Sequence, residues 1–303
     1  MSPQGIRIGR LQPEDIPAAA RLAGQAFASD RQTQMKALGE AEPFDMENYT
    51  LESMPSHLTS RTCHVLKAVD EATGELAGVC NWGIKGFVPR RMPFFEDRVA
   101  EAAAEQDARP VAEDTRQQQQ EKQPEQEEAA QPTAAAAAAA AEDEEETDPI
   151  KRLVALTDAD MRTWMAEVMP AGTRCLFIIG LTVSPAHQNR GVGSALLRWG
   201  KDICDDSGVF AWVHSSDAAW GMYRKSGFEV VRSLDVDLDE YAPCRPPGEG
   251  ADARWGRYVF RYMKYVPKKE EGGGREGRLR LEALGKEGNG REVGDGLELA
   301  AAR

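Results

Sequence analysis

The spacing of apolar residues changes period several times along the chain, and each change marks an element. Ile6 to Arg10 reads as a short strand. After Pro13-Glu14-Asp15 the apolar residues Ile16, Ala19, Ala20, Ala23 and Phe27 recur at helical spacing. Gln32 to Leu58 reads as further helix. Cys63 to Asp70 and Leu76 to Phe87 are strand-like runs joined by Glu71-Ala72-Thr73-Gly74, a turn with glycine near its end. Asp158 to Met169 is amphipathic with a helical period. A mostly apolar run, Leu176 to Val183, stops at Ser184-Pro185; Gln188 to Gly193 form a glycine-bearing turn, and Ser194 to Cys204 is helix-like. Another strand follows Phe228 to about Val236. Beyond a Pro/Gly loop at Pro243 to Gly250, Arg254 to Tyr265 has strand character that should hairpin back.

Two stretches break this patterning. From about residue 101 to 149 a glutamine run, eight consecutive alanines (Ala134 to Ala141) and the acidic Glu142 to Glu146 follow one another. Such a segment lacks the apolar diversity to offset the entropy of ordering, so it reads as a disordered insertion. Residues 267–303, rich in glycine and balanced in charge, read as a disordered tail. The expected organisation is one domain in two parts, 1–100 and 150–266, with these two additions.

Charge sharpens that division. Of the net charge of −13, the stretch Glu113 to Asp148 contributes −10 through 12 acidic and 2 basic residues. What remains is close to balanced and shows no clustered basic face, which argues against nucleic acid as a partner. The longest apolar run is too short to cross a bilayer, so no membrane partner is expected. Five cysteines without C-x-x-C spacing, and no secretory-type apolar stretch after Met1, point to a reducing intracellular compartment, the cytoplasm ahead of the nucleus. The four histidines lack ligand spacing, so no metal site is expected.

Chemistry concentrates in the strand–turn–helix of residues 176–204. A turn that opens a helix presents unpaired N–H groups at the positive end of the helix dipole, which suits phosphate. Gly191 and Gly193 carry no Cβ and let a ligand lie against the main chain.

This segment resembles motif A of the GNAT family of N-acetyltransferases, Gln/Arg-x-x-Gly-x-Gly/Ala, met here by Gln188, Gly191 and Gly193. Ser215 to Phe228 looks like the family's motif B, which ends in Tyr-x-x-x-Gly-Phe and places Tyr223, Gly227 and Phe228. Ile6-Arg7-Ile8 with Pro13-Glu14-Asp15-Ile16 is similar to the family's first strand and helix start. The three blocks cover most of 1–87 and 150–265, and the Ser-Ser-Asp stretch with the long upstream insertion looks most like fungal members. The resemblance implies an α/β fold, the GNAT acyl-CoA N-acyltransferase fold, with a mixed, mostly antiparallel, bent sheet flanked by helices.

It also implies acetyl-CoA as cosubstrate and assigns roles. Backbone amides of Gln188, Asn189, Arg190, Gly191, Val192, Gly193 and Ser194 would cap the pyrophosphate, with Arg190 adding a charged contact or remaining a solvated loop residue. The main chain at Leu181, Thr182 and Val183 would pair with the pantetheine arm, the amide near Leu181 would receive the oxyanion, and the Ser216 hydroxyl would meet the arm where relatives often carry asparagine. Tyr223 corresponds to the general acid that protonates the leaving thiolate. Many relatives carry a glutamate or aspartate on the motif A strand or the one before it as the base; no carboxylate stands in the run Leu176 to Val183, so Glu47, Asp217 and His214 are the possible substitutes. Trp82, Trp212 and Trp220 are a candidate aromatic acceptor box, with core packing as the alternative.

The function implied is acetyl transfer to a primary amine by direct attack, on a small molecule. Two other functions stay open at this level: acetylation of protein lysines or N-termini, with the acidic insertion attracting a basic protein tail, and a non-catalytic CoA-binding scaffold.

Overall fold

β-Strands of the first half pair as the alternation predicts, and the later ones do so in an order that sequence proximity does not give. The computed structural model describes residues 5–39, 43–99 and 148–267. Nearly all of the predicted disordered stretches, 101–149 and 267–303, lies outside the described residues.

β1 (Ile6–Arg10) leads through a 3-10 turn into α1 (Ile16–Phe27), α2 (Arg31–Lys36) and α3 (Met46–Thr59), then β2 (Cys63–Asp70) and β3 (Leu76–Lys85). After the undescribed stretch come α4 (Pro149–Val168), β4 (Cys175–Val183), α5 (Val192–Ser207), β5 (Phe210–Ser215), α6 (Trp220–Lys225), β6 (Glu229–Asp237) and β7 (Arg257–Tyr265). The seven strands form one sheet in the order β1-β2-β3-β4-β5-β7-β6. Every neighbouring pair is antiparallel except β4–β5, which is parallel. The sheet is therefore mixed and mostly antiparallel, as expected, with helices on both faces.

Side-chain alternation sorts the core into two layers. Cys80, Trp82, Leu176 and Ile178 point to the face covered by α5 and α6, where they meet Val192, Leu196, Trp199 and Tyr223. Gly200 lets α5 lie flush on this layer, since a Cβ there would fall 2.4 Å from the Trp82 ring. On the other face Val65 and Val79 pack on α1 and α3, while Phe177, Trp212 and Tyr262 pack on Trp164 of α4. Tightness of this kind leaves little room for added volume. The end of α3 is pinned by Arg98, which donates to the carbonyls of Leu58 (2.7 Å), Ser60 and Cys63 (2.9 Å).

α4 is longer than the apolar period suggests. It begins at Pro149 rather than Asp158, with Asp148 accepting from the N–H of Ile150 at 2.8 Å. An N-cap aspartate followed by proline at the first helical position is a strong start signal, because that proline's missing N–H has no intrahelical partner to lose.

Candidate active site

β4 changes character halfway along. Its first residues pair with β3 on one side and β5 on the other, but the β5 pairing ends at Ile178–Val213. On the β3 side the register slips between Asn81 and Trp82, so Ile179 has no partner. From there to Val183 the strand is held by β3 alone, and its burial falls from full to partial. A bulge re-aims a strand. Here it accompanies the parting of β4 from β5, which leaves alternate main-chain groups of Ile179 to Val183 without a strand partner on the opened side. Leu181, Thr182 and Val183 lie on this free edge.

The loop after β4 is anchored by a carboxylate the sequence did not single out. Asp70, at the end of β2, accepts from the Ala72 N–H (2.9 Å), stands 3.1 Å from His187 Nε2 and accepts from Arg190 Nη2 at 3.3 Å. The Ala72 amide, then His187 and Arg190, hold its carboxyl below the usual range. Arg190 is thus tied towards β2 on one edge while half of its side chain stays exposed. Gln188 turns back and donates its side-chain amide to the Val183 carbonyl at 3.4 Å. Asn189 (φ 60°) and Gly191 (φ 81°) both take the left-handed conformation, and the first bond of α5 runs from the Ala195 N–H to the Gly191 carbonyl at 3.0 Å. No side chain caps this helix start, so the N–H groups of Val192, Gly193 and Ser194 precede the first intrahelical bond. Val192 itself is core, Ser194 is exposed, and a Cβ on Gly193 would come within 2.7 Å of Met222 Sδ. Gly193 therefore serves helix packing.

Tyr223 is fixed by the end of α6. Gly227 (φ 91°) closes that helix, with the Phe228 N–H bonding the Tyr223 carbonyl at 3.1 Å, and the rings of Tyr223 and Phe228 meet edge to face at 5.7 Å. Burial, with the nearby Cys80 sulfur, pushes the Tyr223 phenol far above its ordinary value, so it stays protonated. The phenol lines the opening together with Gly180 and Leu181.

That opening is the mouth of a cavity of about 220 Å³ that passes between β4 and β5 to the other face. There it is walled by Phe27, Phe44, Met161, Met165, Trp212 and Phe260. Its polar groups come from elements far apart in sequence. Tyr258 donates to Asp30 Oδ2 at 2.8 Å, and Asp30 also caps α2 through the Thr33 N–H. Lys36 is buried, its ammonium 4.3 Å from the centre of the Phe44 ring; desolvation lowers its pKa to about 8 against the pull of Asp158 and Asp30. Lys36, Phe44 and Asp158 also line a wider groove of about 800 Å³ between α2, α3 and α4.

Of the three candidate bases, only His214 lines the cavity. Glu47 packs beside Gly24, and Asp217 is exposed and paired with Arg261 at 2.7 Å. Ser216 lines the cavity near the Tyr258 hydroxyl. The three tryptophans do not form a box: Trp82 is core, Trp212 lines the cavity, and Trp220 lies against Arg261 and Arg224. Asp30, Lys36, Asp158, Tyr258 and Phe260 carried no sequence signal, because nothing in their spacing brings them together. Among the described residues no cluster of side chains is suited to a metal ion, and no helix is long and apolar enough to cross a membrane.

A parallel strand pair thus parts above a glycine-bearing helix start. Residues 99–228 match the Acetyltransferase (GNAT) family. The match spans α4 to α6, both sequence motifs and the strand opening. No curated protein matches the sequence. Among solved structures, the chain is similar to arylalkylamine N-acetyltransferase 2 from Aedes aegypti (13% identity, 88% of this chain and 100% of that chain covered, TM-score 0.49). It is similar to a polyamine N-acetyltransferase from Drosophila melanogaster (15%, 86% and 99%, TM-score 0.44). It also resembles a putative acetyltransferase from Salmonella typhimurium solved with acetyl-CoA (12%, 89% and 98%, TM-score 0.39).

Proposed function

We propose that this protein transfers the acetyl group of acetyl-CoA to a primary amine on a small molecule, by direct attack within a ternary complex. The observation that carries the reading is the cavity through the sheet, which joins the free edge of β4 and Tyr223 on one face to an aromatic, partly polar chamber on the other.

The residues present fit acetyl-CoA. The uncapped start of α5, opened by the left-handed Gly191, offers N–H groups from Gln188 to Ser194 to a pyrophosphate. Arg190, half exposed beside Asp70, would add a supporting charge. The unpaired edge at Leu181, Thr182 and Val183 suits the pantetheine arm as an added strand, with the Ser216 hydroxyl near its end. Bound there, acetyl-CoA supplies an activated acyl group. The main chain near Leu181 then faces the developing oxyanion, and the Tyr223 phenol holds the proton for the departing sulfur.

Two observations support direct attack on a small acceptor. Burial raises the thiols of Cys63 (to about 12), Cys80 and Cys175 (to about 11), so none is a ready nucleophile for an acyl-enzyme. The chamber, about 220 Å³ and lined mainly by aromatic and thioether groups, suits a compact amine with an apolar body more than a peptide backbone. The test is release of free CoA, read with a thiol-reactive dye, across a panel of small amines and basic peptides. Release with small amines supports the reading. Release with peptides alone moves the acceptor class to proteins. Silence with all acceptors, alongside tight CoA binding by calorimetry, leaves a non-catalytic CoA-binding protein.

A further inference from the structure

The acceptor amine has to lose a proton as its bond to the acyl carbon forms, and β4, one of two strands on which many relatives carry the base, has no carboxylate here. The structure offers a group on the correct side of the sheet. His214 is the first residue of β5 beyond the last β4 pairing, Ile178–Val213, so it stands where the two strands part. Alternation along β5 puts it with Trp212 on the α4 face, opposite Tyr223 on the α5 face.

Its ring is held rigidly. Phe260 stacks on it at 5.0 Å and 24°, and Tyr262 at 4.6 Å and 20°. Both partners are themselves fixed: Tyr262 donates to Asp160, and Phe260 packs on Tyr258 at 4.7 Å. His214 Nε2 is buried with no hydrogen-bond partner, and the ring lines the cavity. A buried polar atom left unpaired costs stability, and its retention calls for a reason.

We propose that His214 takes the surplus proton from the acceptor nitrogen, working across the sheet from Tyr223. This rests on the acetyltransferase reading above. The acceptor nitrogen gives its electron pair to the acyl carbon, and the carbon–sulfur bond breaks with its pair going to sulfur. Sulfur takes the proton of the Tyr223 phenol, the nitrogen's proton passes to the imidazole, and solvent later restores both side chains. Burial lowers the imidazole's pKa to about 4, with Asp160 pulling the other way, so at neutral pH the ring is uncharged and a lone pair is available. Such a weak base is adequate because the nitrogen becomes far more acidic once it bonds the acyl carbon. The same low basicity means that the amine enters already neutral.

The experiment compares wild type with His214→Phe, which keeps the stack, and with His214→Ala, which leaves room for added imidazole. Expected are a fall in kcat of about 100-fold in both, acetyl-CoA affinity unchanged by calorimetry, and partial recovery of His214→Ala by imidazole. A readout independent of turnover is the ring-nitrogen NMR spectrum of the protein's four histidines. The signal missing from His214→Phe should shift when the amine is titrated into wild type without acetyl-CoA. An active wild type with His214→Phe within twofold of it overturns the inference alone, as does a rate loss accompanied by lost acetyl-CoA binding. A wild type that releases no CoA with any acceptor overturns the acetyltransferase reading and this inference with it.

Discussion

On the α5 face the site is made mostly of main chain, with the Tyr223 phenol beside it: the free edge of β4, the left-handed turn at Gly191 and the uncapped N–H groups of the helix start. On the α4 face it is made of side chains from α1, α2, α4, β5 and β7, converging on one chamber. Main-chain groups are the same in every sequence, so a fixed cosubstrate can be held by geometry alone. A variable acceptor requires surfaces that can change, and these are set by residues remote from one another in the chain.

Substitutions should therefore separate the two faces. The largest effect is expected from Gly191→Val, which places a branched Cβ at φ 81° where the main chain must approach a ligand. Acetyl-CoA binding should be lost in calorimetry while far-UV circular dichroism stays native; retained binding would break the main-chain account of this face.

Acid should expose a buried imidazole on each face. Desolvation lowers His64, which packs on Phe95 and Trp199, to about 3, and His214 to about 4. Between those values and about 6.5 the unfolded chain binds protons that the folded chain refuses. Stability is thus fully present above about pH 6.5 and falls as pH drops towards 4, by on the order of 3 kcal/mol for His214. Melting temperatures of His214→Phe should be less sensitive to pH than wild type across that range.

Tyr223→Phe should lower turnover about tenfold with acetyl-CoA affinity unchanged, because only a proton donor is removed from a buried ring; an unaltered rate across pH would remove Tyr223 from the chemistry. Met161→Ala, on the α4 face alone, should raise the KM of the amine several-fold and leave that of acetyl-CoA untouched. The smallest effect is expected from Arg190→Ala, under about threefold in acetyl-CoA affinity, since part of that side chain's charge is already engaged with Asp70.

The same contrast explains what could be read from residues. β4, its turn, α5 and the Tyr223–Phe228 block are consecutive in sequence, and their glycines answer local demands, so the pattern displays them. The helix start at Asp148-Pro149 was legible by its cap chemistry but adjoined a low-complexity run that obscured it. The β6–β7 hairpin was readable; the placement of β7 between β5 and β6 was not, because pairing across the sheet leaves no local mark. The chamber was least legible of all. Tyr258 bonds Asp30 across 228 residues, and neither residue's neighbours announce the other.

Direct attack through the sheet opening is the claim on which the two faces depend, and initial rates with both substrates varied test it most directly. Double-reciprocal plots that intersect, as acetyl-CoA is varied at several fixed amine concentrations, are the predicted result, since both substrates must occupy the cavity together. Parallel lines would show that CoA leaves before the amine binds, and would contradict the account.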